Sequence, residues 1–233
     1  MNKPLIQVQD LTKSYDTLPV LSQLSFQVDQ GQIVGLLGPN GCGKTTLMKI
    51  LTGLINDYQG TVLIDGHKPD VYTKSIVSYL PEKTYLNDNS KNSYAIEMFA
   101  DFYQDFNKQK AFDMLQRFHL DPNQKIKSMS KGMQEKLQLI LVMSRAAKLY
   151  VLDEPLSGVD AATRDGILDL ILNNYTENAS ILLSTHLIYD VERIFDQVIL
   201  LGYGQLILQD TVDNIRQKTG KSVDELFREV FKC

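Results

Sequence analysis

Cysteine is nearly absent from this sequence. The two residues present, Cys42 and Cys233, support neither a disulfide framework nor a cysteine zinc site, and a reducing compartment fits that usage. Long apolar runs are missing too. The stretch at residues 33–37 falls far short of the roughly 18–20 residues of a membrane-spanning helix, so no segment is expected to cross a bilayer. No extended apolar region follows Lys3, which argues against a secretory signal peptide and for a cytoplasmic chain. Lysine and arginine form no stripe that could track a phosphate backbone. With 24 basic against 28 acidic residues the formal charge is −4, and nucleic acid is not an expected partner. There is no internal repeat and no low-complexity tract.

What remains is ordinary globular material. A chain of 233 residues, 43% hydrophobic and 22% charged, suffices for one sizeable α/β domain with a smaller subdomain set into it. Short β-type runs at 6–11, 24–28, 33–37, 61–64 and 76–80 are interrupted by one clear helix from about Lys44 to Leu54. Residues 90–143 then change to helical spacing. Phe99, Phe102, Tyr103 and Phe106 fall at i, i+3, i+4 and i+7, a stripe read as core, with a docking face as the alternative. Strand-like runs return at 149–152, 181–184 and 198–201 with helical patterns between them, the alternation of a mainly parallel sheet. Two last helices, 212–218 and 223–231, are separated by Gly220.

Residues 38–46 read G-P-N-G-C-G-K-T-T, and Gly38, Gly43, Lys44 and Thr45 match G-x-x-x-x-G-K-[ST] between an apolar strand and a helix. Glycines let backbone N–H groups approach phosphates, the helix N-terminus adds partial positive charge, and Lys44 supplies a full one. The Thr45 hydroxyl is offered to Mg²⁺. Taken alone, the loop leaves kinases, GTPases, helicases and transporter ATPases open. No N-K-x-D guanine motif is present.

An apolar run ends in Asp153 and Glu154 at the sheet edge where open α/β folds bind ligands. A hard divalent ion needs an oxygen donor there, which assigns Asp153; Glu154 can then polarise an attacking water. His186 follows another apolar run, within reach of a γ-phosphate, whereas His67 and His119 read as surface residues. Residues 128–136, S-M-S-K-G-M-Q-E-K, open a helix, so that Ser130 is either a plain N-cap or part of a second anion-binding end.

In this order the motifs resemble the nucleotide-binding subunit of an ATP-binding cassette (ABC) transporter over residues 5–208. The resemblance implies a P-loop NTPase core with a mainly parallel sheet, an antiparallel β subdomain and a helical subdomain insert. It divides the single domain into a catalytic core with the β subdomain (1–86 and 144–210), the helical subdomain (87–143) and C-terminal helices (211–233). It implies that Tyr15 stacks on adenine and that Gly38, Pro39, Asn40, Gly41, Cys42, Gly43, Lys44, Thr45 and Thr46 surround the phosphates. Ser130 and Gly132 correspond to the signature segment that touches ATP on a partner subunit, and residues 156–160 to the loop that communicates across the dimer. Thr45, Asp153 and Glu82 would hold Mg²⁺, while Glu154 and His186 would be catalytic.

Three departures individualise the chain. Lys131 and Met133 replace glycine and glutamine in the signature, and Lys136 stands where arginine is common, a variant similar to the subunits of exporter-type (ABC-2-type) permeases. At Y-L-P-E, Glu82 replaces the usual glutamine. The resemblance further implies ATP and Mg²⁺ as cofactors, a second nucleotide-binding subunit, identical or not, and an integral-membrane permease holding the chain at the inner face of the cell membrane. The rival within the family is an ABC ATPase of DNA repair or translation, but the paired cassettes, coiled-coil inserts or cysteine-rich sites associated with those are lacking. Cys42 lies at a helix N-terminus, where a lowered thiol pKa is expected, together with alkylation that blocks ATP binding.

Overall fold

The computed structural model describes residues 4–157, 159 and 161–232, the side chains of 161–163 excepted. The chain opens with a long hairpin, β1 (Ile6–Tyr15) and β2 (Leu18–Val28), then runs through β3 (Ile33–Leu37) into α1 (Lys44–Leu51). It continues through β4 (Gln59–Ile64), α2 (Val71–Ile76) and β5 (Val77–Leu80). Three helices follow: α3 (Asn92–Phe102), α4 (Lys108–Arg117) and α5 (Lys131–Met143). The alternation then resumes with β6 (Leu149–Asp153), α6 (Ala161–Asn174), β7 (Ser180–Ser184), α7 (Ile188–Val191), β8 (Gln197–Gly202) and β9 (Gln205–Thr211). It closes with α8 (Val212–Thr219) and α9 (Val223–Phe231), Gly220 taking the left-handed turn between them at φ 69°.

Two sheets result. β2-β1-β4 is antiparallel, and the second sheet has the order β5-β6-β7-β3-β8-β9, parallel except for β9 at one edge. Strands β3, β6 and β7 are buried over all five residues because both faces of their sheet are covered. Alternation along them sends Leu37, Tyr150, Leu152, Ile181 and Leu183 into one core with the helices α3–α6, while Val34, Leu36, Val151 and Leu182 join α1 and the antiparallel sheet in another. Each fully buried leucine or isoleucine contributes about 1.5–3 kcal/mol, so the double burial holds the C-terminal ends of these strands rigidly in line.

The α/β reading holds, with differences in detail. The hairpin strands are longer than the β-type runs because bulges at Asp10 and Gln23, both with positive φ, break the alternation while pairing continues. Helix α2 occupies residues 71–76, where the sequence pattern gives a turn between the β-type runs 61–64 and 76–80; its Asp70–Thr73 capping box supplies the start signal that its β-branched residues obscure. The edge strand β9 is mixed in polarity, its three apolar residues Leu206–Leu208 set between glutamines, and it is not among the expected strands. The aromatic stripe does not stay on one helix. α3 ends at Phe102, Tyr103 is extended, and only Phe99 is buried, at 7% exposure, against 77% for Phe102, which is therefore not core.

Candidate active site

The loop between β3 and α1 has its shape because two positions admit no side chain. A Cβ on Gly38 would lie 2.2 Å from the carbonyl oxygen of Leu201, and one on Gly43 would meet Leu21 at 2.6 Å with φ at 106°. Lys44 is buried, and its Nζ donates to the carbonyls of Gly38 at 2.7 Å and Pro39 at 3.3 Å, which brings the ammonium inside the curve of the loop. Asn40, Gly41, Gly43, Lys44, Thr45 and Thr46 line a cavity of about 490 Å³, and Glu82, Asp153, Glu154 and His186 close its other side. Val20, which the motifs did not single out, lines it as well, as does Ser157 from the 156–160 loop.

Cys42 departs from expectation. Its thiol is turned into the core beside Leu201, and burial pushes its pKa up from the usual thiol value, outweighing the opposing pull of Lys44. The N-terminus of α1 does not make it an acidic, reactive thiol. Gly38 and Pro39 shape the loop without lining the cavity.

The parallel register between β6 and β7 places Asp153 opposite Ser184. The Ser184 hydroxyl donates to Asp153 Oδ1 at 2.6 Å and accepts the N–H of Glu154 at 3.0 Å. Asp153 is 1% exposed, and its Oδ2 is buried with no hydrogen-bond partner among the described residues. Glu154 adopts φ 52°, a left-handed conformation that costs an ordinary residue about 1–2 kcal/mol. In this conformation its Oε2 lies 2.8 Å from His186 Nδ1 and accepts the His186 N–H at 3.3 Å. With the carboxylate accepting, Nδ1 carries the hydrogen and Nε2 is left as the outward nitrogen.

A divalent ion fits this donor set. An orphaned, buried carboxylate oxygen calls for a cation, and the Thr45 hydroxyl and the Glu82 carboxylate, both hard oxygen donors, share the cavity. Among the described residues no three His, Cys, Asp or Glu side chains cluster as a metal cage, so the remaining ligands would be phosphate and water oxygens. Tyr79, which sequence reasoning passed over, adjoins this region. Burial raises its phenol pKa, with Asp153 and Glu82 adding in the same direction, and its hydroxyl has no hydrogen-bond partner among the described residues.

Other candidates lie elsewhere. Tyr15 stands exposed at the turn of the hairpin, with the Lys13 ammonium 4.9 Å from its ring, outside the cavity lining. Ser130 caps α5, accepting the N–H of Met133 at 3.3 Å; it is exposed, a Cβ on Gly132 would meet nothing within 4 Å, and neither residue lines the cavity. Of residues 156–160, Gly158 and Asp160 are outside the described residues, as is Cys233. A second, more apolar groove of about 680 Å³ is lined by Tyr79, Pro81, Tyr85, Phe99, Phe102 and Tyr103. Among the described residues, no helix is long and apolar enough to cross a membrane.

Comparison with known proteins places this geometry in context. The family described as ABC transporter matches residues 21–157. An uncharacterised ABC transporter ATP-binding protein of Methanocaldococcus jannaschii is 34% identical over 93% of this chain and 81% of its own length. The SkfA peptide export ATP-binding protein SkfE of Bacillus subtilis is 33% identical, with 87% of each chain covered. The solved structure of an ATP-binding subunit of an ABC transporter superposes with a TM-score of 0.88 at 29% identity, covering 97% of this chain and 99% of that one.

Proposed function

This chain belongs to the ABC transporter family, whose ATP-binding subunits bind and hydrolyse ATP, and from that premise we propose how its cavity works. The phosphates of ATP lie along residues 38–46 against Lys44, and a second subunit completes the site from outside. The observation that carries this reading is the convergence of Lys44, Thr45, Asp153, Glu154 and His186 on one cavity from three parallel strand ends.

The residues then take distinct roles. Loop N–H groups and Lys44 hold the β- and γ-phosphates. Thr45, Asp153 and Glu82 would hold Mg²⁺, which when bound neutralises charge on the phosphate oxygens. Glu154 accepts the proton of the attacking water, and His186, oriented through Nδ1 by Glu154, turns Nε2 as a hydrogen-bond acceptor toward that water beside the γ-phosphate. Tyr15 gives adenine an aromatic face outside the phosphate cavity.

ATP-binding subunits of this family dimerise and work with membrane permeases. Ser130 and Gly132 do not line this chain's own cavity, and Ser130 is exposed, which supports their acting on ATP held by a partner. Since one chain carries both half-sites, a homodimer is permitted. Residues 87–143 are assigned as the helical subdomain, and the groove beside Phe99 and Tyr103 as its seat for a permease at the inner membrane face. Export is favoured by the M-S-K-G-M signature together with the likeness to a peptide-export relative. Lys44→Ala and Ser130→Arg subunits, each inactive alone, would restore ATP turnover when mixed, because one hybrid site keeps both intact halves; a mixture as inactive as its components would remove Ser130 from the shared site.

A further inference from the structure

We propose that the buried Ser184 hydroxyl is a positioning residue that presets Asp153 for the metal and Glu154 for the attacking water. The inference rests on the reading of Asp153 as a Mg²⁺ ligand. Ser184 ends β7 with no exposed surface, in register with Asp153 on β6 and with Leu36 on β3. It therefore stands between the strand that feeds the phosphate loop and the strand that carries the carboxylates.

The hydrogen-bond inventory fixes the direction of each contact. A backbone N–H can only donate, so the 3.0 Å contact with Glu154 N uses a lone pair of Ser184 Oγ. The single hydroxyl hydrogen is then free for Asp153 Oδ1 at 2.6 Å. That bond stops rotation of the carboxylate and occupies one of its oxygens, so that Oδ2 is left as the open acceptor on a residue lining the cavity. The same serine also receives the Glu154 N–H on its carbonyl oxygen, at 3.2 Å. Both atoms thus pin Glu154 in the left-handed conformation from which its side chain meets His186. A serine needed only for packing would not require both bonds in these directions.

The test reads metal coupling, not turnover. The affinity of the purified subunit for the non-hydrolysable analogue AMP-PNP is measured with Mg²⁺ and with EDTA, and their ratio gives the metal's enhancement of binding. In Ser184→Ala that ratio falls about ten-fold, the equivalent of one hydrogen bond to a charged group, while metal-free affinity is unchanged. Ser184→Thr and Ser184→Val add the same bulk, so Thr should retain the enhancement and Val lose it. Asp153→Asn provides the reference. If Asn abolishes the enhancement and Ala leaves it intact, the role of Ser184 is overturned and the metal assignment stands; if Asn leaves it intact, both fall. An equal loss of metal-free affinity in Ala, or identical behaviour of Thr and Val, reduces Ser184 to a structural prop and overturns the proposal.

Discussion

Arg145 joins parts of the molecule that sequence motifs leave unconnected, and its removal gives a sharp test of how the site's scaffold is held. The side chain is buried, and it donates from Nη1 to the carbonyl of Val77 at 2.5 Å and from Nη2 to that of Ser75 at 2.6 Å. It also forms a two-point pair with Asp105, Nε to Oδ1 at 3.0 Å and Nη2 to Oδ2 at 3.1 Å, with its guanidinium carbon 3.9 Å from the centre of the Tyr103 ring. Arg145→Met keeps the apolar stem and removes every donor. Two carbonyls and a carboxylate then lose their partner, and breaking a buried pair in this way costs about 3–5 kcal/mol; Asp105, a quarter exposed, recovers some hydration and keeps the loss within that range. For a chain of this size each kcal/mol moves Tm by about 2–4 °C, so a drop of roughly 6–20 °C is expected by circular dichroism. Arg145→Lys supplies one point donor that cannot span both partners and should recover less than half of the loss. A Tm drop smaller than one kcal/mol would produce, or a lysine variant as stable as arginine, would refute the reasoning.

Two further outcomes follow from burial. Because its pKa is raised, Cys42 has a smaller thiolate fraction than a free thiol at every pH, and in a Cys233→Ser background maleimide should label native protein far more slowly than urea-unfolded protein; equal labelling rates would restore the reactive-thiol reading. Burial also raises the Glu135 carboxyl, against the weaker opposing pull of Lys131, and leaves its Oε2 without a hydrogen bond among the described residues. With the folded pKa above the unfolded one, the unfolded chain loses its proton first, so this group subtracts stability as pH rises through and above the usual carboxylate range. The urea midpoint of Glu135→Gln should therefore gain on the parent protein between pH 4 and pH 7, and a gain that shrinks over that interval contradicts the assignment.

The phosphate loop, the Asp153–Glu154 pair and His186 were legible because each follows a strand buried on both faces, whose unbroken apolar run marks its own end. Less was legible where pairing or packing decides the outcome. β9 exists because it pairs with β8 at a sheet edge, and its polar residues carry no periodic trace of that. Phe102 has the spacing of a core residue, but the helix stops beneath it and Tyr103 turns away to the Arg145 guanidinium. Cys42 stands inside a phosphate motif, yet the loop's curvature sends its side chain to the core. Ser184 preceded a recognised histidine by two residues; only the register of β7 against β6 reveals that it holds Asp153.

The central claim is that Glu154 drives hydrolysis in a cavity that two subunits close, and Glu154→Gln tests it most directly. Amide replaces carboxylate at nearly constant shape, which removes the proton acceptor without emptying the site. ATP turnover should fall by at least about 100-fold, while ATP binding persists and an ATP-dependent dimer accumulates on size-exclusion chromatography. Turnover indistinguishable from that of the unsubstituted subunit would take Glu154 out of the chemistry and contradict the claim.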